Sequence, residues 1–216
     1  MKRSLRTNEG FTIVELLIVI VIIAILATLL FLTYNGIQTN ARNNQTAQAV
    51  SQYRKALISY ATEKGEYPIL DYNVCIGSSY PDLNSDGSAD CRYGNITSGG
   101  FTIHPDSWFN QQIRKYMNNS VARPQATISS TANKWAGAYF SATPDNEGPP
   151  KLDGKNVNNW IAYVIEGNNA KCPIGPVYKA SGSWDNFVSP PALNTRQDSG
   201  STGVECWLPL PNISDL

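Results

Sequence analysis

The chain has 216 residues, with 17 basic and 17 acidic side chains and one histidine. That length admits one or two domains around a core of ordinary size. A formal net charge of zero removes the electrostatic case for nucleic acid as the main partner. The 16 glycines and 13 prolines are too few for a collagen-like or wholly disordered chain.

The averages hide two materials joined end to end. Mean hydropathy is −0.27, the value of a soluble protein. Yet Leu16 to Leu32 reads LLIVIVIIAILATLLFL, with Thr28 as its only polar residue. Ahead of it, Met1 to Gly10 (MKRSLRTNEG) carries Lys2, Arg3 and Arg6 against Glu9. Basic residues beside an apolar segment hold that end in the cytoplasm. Phe11 to Tyr34 has 24 residues, about 36 Å as a helix, enough for one crossing of a bilayer core of about 30 Å. A secretory signal has a shorter apolar region and ends at a small-x-small cleavage site. Neither that nor a plain single-pass anchor accounts for Glu15.

Glu15 lies within FTIVELL, four residues after Phe11, and no basic residue stands between Arg6 and Arg42. A carboxylate inside a membrane helix costs roughly 2.5–3.5 kcal/mol and so calls for a partner. Cleavage between Gly10 and Phe11 would create one. The new amine of Phe11 would share a helix face with Glu15, or meet the Glu15 of a neighbouring subunit, and the helix dipole would add to the attraction.

Glu9-Gly10-Phe11-Thr12-Ile13-Val14-Glu15-Leu16-Leu17 resembles the class III signal of type IV pilins and pseudopilins. The resemblance implies that a prepilin peptidase cuts after Gly10 and that Phe11 is then N-methylated. It implies that Glu15 guides each subunit into the filament, and it covers roughly residues 1–68. The implied partners are identical subunits, the peptidase, the pilus assembly machinery and, before assembly, the membrane. The implied location is the cytoplasmic membrane first and an extracellular filament afterwards. Loss of the leader would leave 14 basic and 16 acidic side chains, which disfavours a dedicated DNA receptor.

Beyond the apolar run the helical pattern continues. No proline occurs from Phe11 to Lys64, and Val50, Tyr53, Leu57, Tyr60 and Ala61 form one apolar stripe. Gly65 and Pro68 predict the stop, and Gly65-Glu66-Tyr67-Pro68 is similar to the turn that ends this helix in many pseudopilins. Thr33-Tyr34-Asn35-Gly36 groups poor helix formers. It reads as the membrane exit or as a segment that unwinds when subunits pack. The domain reading is therefore a leader at 1–10, a filament-core helix at 11–34, an amphipathic helix at 35–65 and a head at 66–216.

In the head, strands are predicted at 126–130, 136–142, 159–166, 176–181 and 204–210. A short helix is predicted at about 105–117, with Pro105 in its first turn and Phe109, Ile113, Tyr116 and Met117 on one face. Residues 143–158 read as a surface loop. The fold class is α+β: a long N-terminal helix packed on a small antiparallel sheet, as in the pilin fold. All five tryptophans fall in the head and are expected to pack its core.

Cys75, Cys91, Cys172 and Cys206 also lie in the head, an even count that points to disulfides in an oxidising compartment. Three pairings are possible. Cys75–Cys91 with Cys172–Cys206 is favoured, because each pair encloses a loop-like stretch.

Asp82-Leu83-Asn84-Ser85-Asp86-Gly87-Ser88-Ala89-Asp90 places oxygen ligands at alternate positions with a glycine for the turn, a pattern suited to Ca²⁺. It resembles the opening of an EF-hand loop, but Tyr93 stands where the closing glutamate belongs. Resemblance to DxNxDGxxD-type calcium loops makes Asp90 an early closing ligand, with Asp82, Asn84, Asp86 and the Ser88 carbonyl. The alternative is a plain polar turn. His104, alone among histidines, is expected to be structural or exposed. No hydrolase, zinc or phosphate-loop motif occurs, so the chain reads as a structural protein and not an enzyme. The sequons at Asn44, Asn95, Asn118 and Asn212 carry little weight alone. The reading is a type IV pilus subunit. The alternatives are a type II secretion pseudopilin or a membrane-tethered binding protein, and motility, adhesion and DNA uptake are equally served by such subunits.

Overall fold

In the computed structural model the described residues are 11–70, 72–94, 101–117, 123–130, 133–142, 151–152, 155–168, 170–174, 179–180, 186–188 and 200–216. For residues 29–35, 151–152, 155–156, 179–180 and 186–188 only the backbone is described. Gly10 and the rest of the leader, Asn95, Asn118 and Trp184 lie outside the described residues.

Helix α1 spans Ile13–Lys64. It ends where the sequence predicts. Gly65 turns left-handed at φ +75, a conformation that suits glycine, and its N–H donates to Ala61 O at 2.8 Å. The backbone is helical through residues 33–36 in the single chain. The chain divides into two compact units between Asn40 and Ala41.

In the first unit, the side chains from Phe11 to Leu26 are exposed all round the helix. Phe11 is 84% exposed and Ile13 is 85% exposed. A helix apolar on every face belongs in lipid or among other helices. Among the described residues no helix is long and apolar enough to cross a membrane. The crossing predicted for Phe11–Tyr34 includes residues 29–35, whose side chains lie outside the description.

The second unit holds the rest of α1 and the head. Its elements are β1 (Val74–Cys75), β2 (Arg92–Gly94), β3 (Phe101–Ile103), α2 (Ser107–Arg114), β4 (Thr127–Ser129), β5 (Asn133–Ala136) and β6 (Ala138–Ala142). These are followed by β7 (Lys151–Leu152), β8 (Lys155–Asn156), β9 (Asn159–Glu166), β10 (Lys179–Ala180), β11 (Asn186–Val188), β12 (Gly203–Pro209) and a 3-10 turn at Ile213–Asp215. The central sheet has the order β1-β6-β9-β12 and is antiparallel throughout. Its alternating residues build two cores. Val74, Phe140, Ile161, Tyr163, Cys206 and Leu208 pack with Val50, Tyr53, Leu57 and Ala61 of α1. Cys75, Tyr139, Trp160, Ala162 and Trp207 form a second cluster. Burial on both faces explains why β9 reads as a nearly continuous apolar run.

Several details differ from the sequence reading. Among the described residues there are three sheets, not one. A second has the order β3-β2-β5-β4, and a third, β10-β11-β7-β8, contains a parallel pair between β11 and β7. The stretch read as loop at 143–158 contains the β7–β8 pair, too short to show any period. The run at 136–142 is broken by Gly137, φ +74, where a Cβ would meet Pro124 O at 2.6 Å. Pro105 bridges to Cys75 instead of opening α2, whose N-cap is Asp106, accepting from Phe109 N at 2.6 Å. Trp135, Trp160 and Trp207 are buried as expected, and the last two stack at 5.7 Å. Trp108, by contrast, is 47% exposed.

Thr46 pins the head's backbone to α1. It is fully buried, and its Oγ1 accepts from the N–H groups of Gln125 at 3.0 Å and Ala126 at 2.8 Å. Thr46→Val keeps the shape and strands both donors. The expected loss is about 1–3 kcal/mol, read as a lower denaturation midpoint by tryptophan fluorescence. An unchanged midpoint would show that these N–H groups find other partners.

Candidate functional site

The start of α1 is organised around Thr12 and Glu15. Thr12 N donates to Glu15 Oε2 at 2.9 Å, Thr12 Oγ1 donates to the same oxygen at 2.6 Å, and Glu15 N donates to Thr12 Oγ1 at 3.3 Å. This is a reciprocal capping box, which satisfies helix N–H groups left without partners in the first turn. The sequence carries its signature, Thr-x-x-Glu, and the sequence reading missed Thr12. Glu15 therefore has a partner within its own chain before any cleavage, and its carboxylate is exposed. Phe11 lies one residue before the cap, with an exposed side chain. Exchanging Thr12 for a neighbouring amine would give the Glu15 carboxylate a positively charged donor in place of neutral ones.

The second candidate is the acidic loop, which runs from Asp82 to Asp90 inside the Cys75–Cys91 disulfide. Those two cysteines stand 5.7 Å apart at Cα and are buried. A second disulfide joins Cys172 to Cys206 of β12, at 5.8 Å. Asp82 Oδ1 accepts from Ser85 N at 2.6 Å and Asp86 N at 3.2 Å, and its Oδ2 accepts from Gly87 N at 2.8 Å. Asp86 Oδ1 accepts from Ser88 N at 2.8 Å, and Asn84 Nδ2 donates to Asp86 Oδ2 at 2.7 Å. These bonds, that from Asn84 foremost, hold the Asp86 carboxyl below its usual range. Ser85 is left-handed at φ 68 and Gly87 at φ +90, so the loop doubles back.

Asp90 differs from the others. It is fully buried, and burial pushes its carboxyl up, partly offset by His104. His104 Nδ1 lies 2.8 Å from Asp90 Oδ1 and 3.3 Å from Ala89 O, with its ring half exposed. The sequence reading left His104 outside the loop, since thirteen intervening residues separate it from Asp90. The pairing comes from Cys91 N donating to Ile103 O at 3.0 Å, which brings the two segments side by side. One carboxylate oxygen from each of Asp82, Asp86 and Asp90 lies within 4.8 Å of the others. Asn84 belongs to the same hydrogen-bond network, and Ser88 is exposed beside it.

A further buried polar group was not read from the sequence. Arg92 Nη1 donates to Tyr139 Oη at 2.8 Å, while the guanidinium lies 3.9 Å from the Trp135 ring centre. Tyr139 Oη in turn donates to buried Glu205 at 3.4 Å.

No curated protein and no solved structure matches the chain. Residues 5–31 match the family model of the prokaryotic N-terminal methylation motif. The match takes in Gly10, Phe11, the Thr12–Glu15 cap and the exposed apolar helix that follows. The chain carries a prokaryotic N-terminal methylation motif, and with it the signal for peptidase processing and pilus-type assembly that supports a type IV pilin or pseudopilin.

Proposed function

We propose that the chain is a structural subunit of a type IV pilus, stored in the cytoplasmic membrane and polymerised through α1 into an extracellular filament. The observation that carries this reading is the helix surface from Phe11 to Leu26. It is apolar, exposed on all sides and headed by one carboxylate, within the segment that matches the methylation motif. Bundling such helices replaces lipid with protein neighbours, and an amine released at Phe11 gives Glu15 a counter-charge in the next subunit. Copies of the chain, a prepilin peptidase and the assembly machinery are the partners this requires. The role is structural, not catalytic. The disulfide that ties Cys172 to β12 near the C-terminus resembles pilins and favours a pilus subunit, while the calcium-like loop and the Gly65–Pro68 turn resemble pseudopilins and keep that reading as the alternative.

Mass spectrometry of the protein recovered from sheared fibres tests the reading. The expected N-terminus is Phe11 carrying one added methyl group. Fibres whose subunits retain Met1–Gly10 would overturn it, and electron microscopy showing no long surface fibres containing the chain would move the assignment to a secretion pseudopilin.

A further inference from the structure

We infer that the Asp82–Asp90 loop holds one Ca²⁺ ion between the carboxylates of Asp82, Asp86 and Asp90. This inference does not rest on the filament reading, because the loop belongs to the head and needs no second subunit.

Geometry comes first. Calcium takes oxygens at 2.3–2.6 Å, so two ligands on opposite sides of one ion stand about 4.6–5.2 Å apart. The three carboxylate oxygens lie within 4.8 Å of one another, a cluster that one such ion spans. Asp82 and Asp86 approach from the exposed rim and Asp90 from the buried floor.

Asp90 supplies an independent observation. Its side chain is wholly buried, its Oδ2 accepts only a long bond from Leu83 N at 3.4 Å, and its Oδ1 receives no hydrogen bond. His104 Nδ1 is 2.8 Å from Oδ1 but lies outside hydrogen-bond geometry. A buried carboxylate oxygen that receives no hydrogen bond is costly, and two further carboxylates beside it raise the cost. Among the described residues none of the three forms an ion pair with a lysine or arginine. A hard divalent cation removes both penalties. Asn84 Oδ1, the Ser88 carbonyl and water would complete the six to eight oxygens that calcium requires.

The loop is well rooted for such a role. Asp90 precedes Cys91 directly, its N–H donates to Pro81 O at 2.8 Å, and the Cys75–Cys91 bond joins the loop's ends to β1 and β2. An ion held by Asp90 would therefore brace the second core cluster from its surface.

The test uses the full chain in detergent after removal of metal by a chelator. Terbium luminescence, sensitised by tyrosines that flank the loop such as Tyr80 and Tyr93, reports occupancy. The expected result is saturable binding of one Tb³⁺, displaced by Ca²⁺ with a Kd of ~0.1–1 mM, the range of extracellular calcium modules. Mg²⁺, which gives up its water reluctantly, should displace it about tenfold more weakly or worse. Asp82→Asn and Asp86→Asn change exposed side chains, so the fold should persist, as judged by unchanged tryptophan fluorescence. Each should weaken binding by about tenfold or more, since affinity follows ligand charge. Absence of saturable binding, equal displacement by Mg²⁺, or wild-type affinity in both variants would each overturn the inference.

Discussion

Replacing Glu15 with alanine is expected to leave a stable subunit that no longer enters filaments. In the proposed bundle, Glu15 and the Phe11 amine of a neighbour neutralise each other away from water. Removing one member strands the other charge, at a cost of about 3–5 kcal/mol. At about 1.4 kcal/mol per tenfold, incorporation should fall by at least 100-fold (~2.8 kcal/mol), scored as the fraction of the variant in sheared fibres. The capping box complicates the experiment, because Glu15→Ala also deprives Thr12 N of its acceptor. Glu15→Gln separates the two roles. Glutamine still serves a capping box but carries no charge, so it should fail as alanine does. Thr12→Val removes the hydroxyl contacts of the cap and keeps the carboxylate, so it should assemble. Normal fibres from Glu15→Gln would show that Glu15 matters as a helix cap and would defeat the charge-pairing account.

The largest effect on the head is expected at Phe140. Its ring is fully buried, stacks on Phe109 at 5.5 Å, and sits in β6 between Val74 of β1 and Ile161 of β9. Strands on both sides prevent β6 from moving into the space that Phe140→Ala would open. Truncating a buried phenylalanine costs about 3–5 kcal/mol, a large share of the roughly 5–15 kcal/mol that keeps a domain folded. Denaturation followed by tryptophan fluorescence reads the head alone, since all five tryptophans lie beyond residue 40. Trp108→Ala is the comparison. With that side chain 47% exposed, its loss should be much smaller than that of Phe140→Ala, and near ±0.5 kcal/mol if the site behaves as surface. A loss below about 1 kcal/mol for Phe140→Ala would mean that the cluster around it is not the core.

Features with a period or a local chemical signature were legible without coordinates. The apolar stripe from Val50 to Ala61 follows from a repeat of 3.6 residues, the glycine stop at Gly65 from one residue's conformational freedom, and the long strand β9 from a run of β-branched and aromatic residues. The processing signal is likewise contiguous, so residues 1–17 display it in full. The Thr12–Glu15 cap was equally local and was overlooked only because Glu15 was weighed for its charge and not for its reach.

What the sequence by itself determined is thus the material of each segment: a helix greasy on all faces, a stripe for one core, and strands where β-branched and aromatic residues gather. Tertiary structure alone decided the pairings that join distant residues. Strands of two or three residues such as β1, β2, β7 and β8 have no period to read and exist because a neighbour's backbone completes their hydrogen bonds. The burial of Asp90 beside His104 has the same origin. Nothing in DGSAD says that its last carboxylate faces inward. It does so because Asp90 N–H bonds to Pro81 O and the adjoining Cys91 is bonded to Cys75, contacts that only the closed fold supplies.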